Sequence, residues 1–274
     1  MLDAGEACDD GSPGGDDCCS VACTFVASGV ACADTNACTL SECDGAGACV
    51  VAENLPADTP CELDTDVCTL DRCDGAGTCA QAGTVTCAPC RSCNAMSGLC
   101  IPAPATGCHR PNVAGGSRVL LRPDKLVWRW GKGDTDSNEF GDPAVTDDYT
   151  LCFFEDVDYV PQPIFGATLP AGGTCGGADC WTPRGNPLGS RGYRYRDSTL
   201  SQRGLQTLLL KPGDNGRARI IAKGKGPGLT LSPPLDVELT LLVQLQREGG
   251  ACWEATYTDF IASEYSLFKA KSAP

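Results

Sequence analysis

The chain has 274 residues, 21 of them cysteine, and a formal net charge of −14. Cysteine at that density belongs to an oxidising compartment and excludes a cytosolic protein with reduced thiols, and no apolar run is long enough to span a bilayer. The length suits roughly two domains of ~100–200 residues each.

The two parts on either side of Cys108 differ in kind. Residues 1–108 hold 17 cysteines, one aromatic residue (Phe25) and 16 acids against only Arg72 and Arg91, so the whole net charge of −14 lies there. The remainder has 16 aromatics and balances 19 acids against 19 cations. A segment so poor in large apolar side chains cannot offset its chain entropy by burial. Disulfides must supply the deficit, at something like ~2–3 kcal/mol for each short loop closed.

The chain opens at MLDAGEAC with no basic stretch, apolar core or cleavage signal. With the odd cysteine count, this leads to the expectation of a truncated start. Residues 5–23 are rich in Gly and Asp and carry neither a helical nor a strand period. From Cys32 to Cys79 the sequence is duplicated: CADTNACTLSECDGAGAC is followed by CELDTDVCTLDRCDGAGTC, with Cys38/Cys68, Cys43/Cys73 and Cys49/Cys79 each 30 positions apart. Asp-Gly pairs at Asp10-Gly11, Asp44-Gly45 and Asp74-Gly75 predict tight turns. A compressed, degenerate third unit spans residues 87–108, and its slipped spacing does not allow the earlier register to be imposed on it. The Pro/Gly/Ala-rich PAPATGCHRPNVAGG then predicts a domain boundary near Pro111.

Beyond Ser117 the pattern becomes that of strands. RVLLR and KLVWRWG flank a Pro-Asp turn, with Leu126, Trp128 and Trp130 on one face; YTLCFF (149–154) follows. GLQTLLL and RARIIAK read as a hairpin joined by KPGDNG. Leu235, Val237, Leu239, Leu241, Val243 and Leu245 alternate with polar residues, and Trp253, Ala255 and Tyr257 continue the alternation. The fold class expected is a small disulfide-rich repeat module over residues 1–110 followed by an all-β antiparallel sandwich over residues 111–274.

The doubled unit resembles the cysteine-rich repeats of secreted slime-mould and myxobacterial-type proteins, with the pattern CT-x-D-x-CD-x-x-x-G-x-C. Cys68-Thr69, Asp71, Cys73-Asp74, Gly77 and Cys79 fit it, whereas the first copy has Ser41 in the Asp position. The opening GEACDDG…GDDC resembles a second bacterial repeat, with Ser12 and Asp17 departing from it. WRWGKG, GGTCGGADCW and ACWEATY resemble a domain that accompanies such repeats in bacterial secreted proteins. The resemblance implies an extracellular location and no chemistry.

Several stretches carry residues suited to chemistry. CAPCRSC has zinc-knuckle spacing, but in a segment so dense in cysteine disulfides are expected, and no cofactor. DTDSNEFGD places Asp134, Asp136 and Asn138 at alternate positions, as a calcium loop does. Glu139 stands where an EF-hand needs Gly and Val145 where it needs Glu, so a solvated loop is expected. His109 is the only histidine, and no spacing singles out a carboxylate pair among the acids, so no catalysis is expected. RGYRYRD interleaves Arg194 and Arg196 with Tyr193 and Tyr195, and Arg217, Arg219, Lys223 and Lys225 alternate on one strand. Together they form a candidate surface for anionic polysaccharide, for another surface protein or for the acidic module itself, with nucleic acid disfavoured for an extracellular acidic protein; the plain alternative is a solvated face with both tyrosines packed inward. Cys175 and Cys180 are expected to bridge, which leaves Cys152 to pair with Cys252. The function these features indicate is that of a secreted or cell-surface, non-catalytic structural or adhesive protein with a repeat stalk and a sandwich head. Glycan or calcium binding is the alternative, and a carbohydrate-active enzyme comes third.

Overall fold

The computed structural model describes Cys8 and residues 18–231, 240–264 and 266–273. One turn of 3-10 helix, Asn138–Phe140, is the only helical element among the described residues; every other regular element is a strand. The chain divides into two compact units, residues 1–86 with 93–99 and residues 87–92 with 100–274.

In the first unit, β1 (Ala31–Cys32), β2 (Thr39–Cys43) and β3 (Cys49–Asn54) form a small sheet, and β4 (Thr69–Cys73) pairs with β5 (Cys79–Thr84). The duplication in sequence is a duplication in register. Cys43 faces Cys49 and Cys73 faces Cys79, with a bulge after Leu40 in one copy and after Leu70 in the other. Both hairpins turn on Asp-Gly: Asp44 Oδ1 accepts the Ala46 and Ala48 N–H groups, Asp74 Oδ1 accepts those of Ala76 and Thr78, and Gly45 and Gly75 supply φ of 82° and 80°. The predicted turn at Asp10-Gly11 lies outside the described residues.

The bridges follow one rule. Within a repeat the first cysteine joins the fourth: Cys32–Cys49, Cys61–Cys79 and, in the compressed unit, Cys87–Cys100. The second cysteine joins the third of the next repeat: Cys38–Cys73 and Cys68–Cys93. The third unit therefore keeps the register that its spacing obscures. The buried cluster consists of Cys38, Cys61 and Cys73, with Leu55 and Cys79 against it, so the interior of these repeats is largely sulfur.

β6 (Arg91–Cys93) pairs with β7 (Cys100–Pro102), ahead of the sandwich in sequence. The sandwich strands are β8 (Arg118–Arg122), β9 (Lys125–Thr135), β10 (Tyr149–Val157), β11 (Val160–Leu169), β12 (Thr174–Cys175), β13 (Ala178–Asp179), β14 (Trp181–Pro183), β15 (Tyr193–Arg196), β16 (Leu205–Lys211), β17 (Gly213–Lys225), β18 (Leu241–Arg247), β19 (Cys252–Tyr257), β20 (Phe260–Glu264) and β21 (Leu267–Lys271). An eight-stranded antiparallel sheet, β14-β15-β16-β17-β9-β8-β21-β20, shares one core with a four-stranded sheet, β11-β10-β18-β19. Leu126, Trp128, Trp130, Leu241, Val243, Leu245, Trp253, Ala255 and Tyr257 all point into that core, as their alternation predicts; Leu235, Val237 and Leu239 lie outside the described residues.

Each of the four indoles donates its N–H inside the sandwich: Trp128 to Tyr257 Oη, Trp130 to the Glu254 carbonyl, Trp181 to the Pro170 carbonyl and Trp253 to Thr135 Oγ1. The rings are thus buried without a stranded donor.

Two expectations change here. Cys152 and Cys252 do not pair with each other: Cys152 bridges Cys90 and Cys252 bridges Cys108, while Cys175 and Cys180 bridge across a Gly-Gly turn. Pairing the last four cysteines among themselves assumed a boundary at Pro111, but residues 87–92 and 100–110 belong with the sandwich. The supposed linker is held by backbone pairing, His109 N–H to the Cys252 carbonyl and Glu254 N–H to the His109 carbonyl. The Gln244 side chain also donates to the Ala105 carbonyl and accepts from its N–H.

Candidate functional site

The outer face of the large sheet carries the most distinctive chemistry in the second unit. On six adjacent strands the inward positions are apolar and the outward ones repeatedly Arg or Lys. β15 presents Arg194 and Arg196, β8 presents Arg118 and Arg122, and β21 presents Lys269 and Lys271, all exposed. Exposed on β9 are Lys125 and Arg129, on β16 Lys211, and on β17 Arg219, Lys223 and Lys225. The uncharged outward positions Leu120, Val127, Leu209 and Ile221 are half-buried, as expected where the aliphatic stems of Lys and Arg lie over them.

Strand order sets like charges directly opposite one another. Arg118 faces Arg129 on one side and Lys271 on the other; Lys125 faces Arg122 and Lys225; Lys211 faces Arg219. Five such pairs are each destabilising, on the order of 0.2–1 kcal/mol by comparison with other cross-strand pairs. Between the β8–β9 turn and Gly131 no outward position of these six strands is acidic. Asp124 in that turn, Asp134 and Asp214 at the far end and Glu264 on β20 flank the field. Among the described residues the ion pairs are His109–Glu139, Arg110–Glu254 and Arg247–Asp147, none of which draws on this face.

A depression of about 670 Å³ lies on the face, lined by Arg118, Arg129, Lys132, Lys211, Arg217 and Arg219 and floored in part by Gly116, Gly131 and Gly216. Glycine at these places lets backbone rather than side chain line the hollow. A second depression, about 480 Å³, has Arg184, Arg194 and Arg196 along its wall. Planar guanidinium forks bind carboxylate or sulfate oxygens in pairs, and a cluster of them holds an anion from several sides.

The six cations singled out in the sequence all lie exposed on this one sheet, Arg194 and Arg196 on β15 and the others on β17. Tyr193 and Tyr195 do not join them. Both are buried in the core, and burial, with the Asp197 charge adding to it, pushes the Tyr195 phenol up to about 12. Neither ring is therefore available to stack on a sugar, and charge is what this surface offers. The cations of β8, β9 and β21 were missed by sequence reasoning; their signal was alternation in RVLLR, KLVWRWG and LFKAK, which needs the strand order before it becomes a surface.

Other candidates are engaged elsewhere. Every cysteine of CAPCRSC is in a disulfide. In the 134–142 loop, Asp134 accepts from Gly216 N–H and the Asn112 amide, and Asp136 from Asn138 N–H. Glu139 accepts from Thr135 and Asp136 N–H and meets His109 Nε2 at 2.9 Å. These carboxylates are each taken up by separate donors, some from the loop itself and others from Asn112, Gly216 and His109, rather than converging on one point.

Fold and face together define a disulfide-rich, all-β protein with a cationic sheet surface. Compared with family models, curated proteins and solved structures, the chain matches none. No helix among the described residues is long and apolar enough to cross a membrane.

Proposed function

We propose that this is a secreted or cell-surface, non-catalytic adhesive protein, with a disulfide-stapled repeat stalk and a sandwich head whose basic face holds an anionic extracellular polysaccharide. The observation that carries the reading is the outer face itself: cations opposed across strands, with no acid interleaved and no ion-pair partner among the described residues. An anionic polymer laid over those rows offsets their mutual repulsion, which a solvated face of mixed charge does not require. Twenty cysteines held in ten bridges support an oxidising, extracellular setting.

The net charge of −14 does not forbid a polyanion ligand. At physiological ionic strength the screening length is about 8 Å, so a polymer on the sheet responds to the cations beneath it more than to distant carboxylates. The full-length oxidised protein is expected to be retained on immobilised sulfated or uronate-rich polysaccharide at about 0.15 M salt, and to elute as salt rises through counterion release. Passage through that column unretained, or equal retention on a neutral polysaccharide, overturns the reading.

A further inference from the structure

The two repeats are near copies, yet they differ at one buried position in a way that changes the chemistry around it. In the first repeat the Asp34 carboxylate is fully served. Thr39 Oγ1 and Ser41 Oγ donate to its Oδ2 at 2.5 and 2.6 Å, and Asn36 N–H donates to its Oδ1 at 2.9 Å. Those two hydroxyls, Ser41 first, hold Asp34 below the usual carboxylate range.

The equivalent residues thirty positions on are Asp64, Asp66, Thr69 and Asp71. Ser41, a donor, has become Asp71, an acceptor. Where Ser41 donates to Asp34, Asp71 can only accept, and Asp64 Oδ1 keeps the Asp66 N–H at 2.8 Å as its short hydrogen bond. Thr69 Oγ1 lies 3.4 Å from Asp64 Oδ1, 3.3 Å from Asp71 Oδ2 and 2.7 Å from the Asp66 carbonyl. A hydroxyl has one proton, and the shortest of these contacts is to the carbonyl, so neither carboxylate receives a good donor from it.

Asp71 is only 7% exposed, and its Oδ1 is buried with no hydrogen-bond partner; Leu63 N–H, at 3.0 Å, serves the other oxygen. A buried carboxylate oxygen left without a donor is costly. Around that one hydroxyl the second repeat thus gathers two carboxylates, a backbone carbonyl and the hydroxyl oxygen, with Asp64 open to solvent. Such a set, all hard oxygens and no nitrogen or sulfur, suits calcium, whose coordination tolerates irregular and neutral ligands better than that of magnesium.

We propose that the second repeat carries a calcium site built on Asp64 and Asp71, with Thr69 and the Asp66 carbonyl beside them, and that the first repeat lacks it because Ser41 supplies a hydrogen-bond donor to Asp34 where the second repeat supplies a second carboxylate. The site is independent of the basic face of the sandwich.

The test is calorimetric titration of calcium into the full-length oxidised protein, stripped with chelator and held at about 0.15 M sodium chloride to suppress diffuse counterion binding. One calcium per chain is expected, with a dissociation constant of about 0.1–1 mM as for extracellular modules. Asp71→Ser, which installs the side chain the first repeat already tolerates, is expected to abolish uptake with native disulfides and aromatic circular dichroism retained. Ser41→Asp is expected to raise the stoichiometry to two. No heat with millimolar calcium, unchanged uptake in Asp71→Ser, or a stoichiometry still at one in Ser41→Asp overturns the proposal.

Discussion

The repeats and the sandwich solve one problem with different materials. Among the described residues before Cys100 the buried apolar ones are all half-cystines: Cys18, Cys19, Cys38, Cys43, Cys61, Cys73 and Cys90. Large aliphatic side chains such as Leu40, Leu70, Val50 and Val51 are exposed there. From Val119 onward the interior is filled by Trp, Tyr, Phe and Leu, many of them with no measurable exposure. A cross-link acts on the unfolded chain and leaves side chains free to face solvent, whereas a packed core uses one face of every strand and leaves the other for function. That difference explains where each candidate site lies. The sandwich has enough buried area to tolerate five like-charge pairs on its outer face, and the repeats, with little interior, have their unpartnered carboxylate oxygen on a short strand between bridges, at Asp71 on β4.

Reduction should break the comparison most plainly. Full reduction is expected to unfold residues 18–86, because little but sulfur is buried there, while the sandwich keeps part of its near-ultraviolet circular dichroism. All four tryptophans report on the sandwich, so the signal separates the regions. Simultaneous loss of all structure at low reductant would show that the sandwich core is not self-sufficient.

Truncation of single side chains sharpens the contrast at a smaller scale. Trp253→Ala removes a fully buried ring that packs against Phe140 with centroids 5.0 Å apart, and is expected to cost about 3–5 kcal/mol. Leu70→Ala, at an exposed position of the second repeat, should stay within about 0.5 kcal/mol. Chemical denaturation of the oxidised protein reads both, and comparable losses would mean that the repeats possess an apolar core after all.

How much of this was legible in the sequence depends on how local the information is. Alternation identified the inward faces at Leu126–Trp130 and Trp253–Tyr257 because a strand's period is two wherever it sits. The Asp-Gly turns at Asp44 and Asp74 and the Cys175–Cys180 bridge were equally local. Cys108–Cys252 spans 144 positions, and no nearby residue encodes that pairing. The segment before Pro111 looked like a linker by composition, yet its backbone pairs with β19, a contact that composition does not register. For the basic face, each strand showed its cations, but the sheet order that sets β21 beside β8 and β8 beside β9 is a tertiary fact. The exchange of Ser41 for Asp71 was visible as a departure from the repeat pattern; that the position is buried and shares the Thr69 hydroxyl with Asp64 was not.

The most direct measurement pairs stability with binding in one variant of the outer face. Arg118 stands between Arg129 and Lys271, so Arg118→Glu converts two repulsive cross-strand pairs into attractive ones. The account predicts opposite signs: the oxidised protein melts higher by about 2–4 °C, while its affinity for an acidic polysaccharide falls roughly tenfold, equivalent to about 1.4 kcal/mol. A lower melting temperature with undiminished binding would contradict it, because those cations would then be structural and the ligand would lie elsewhere.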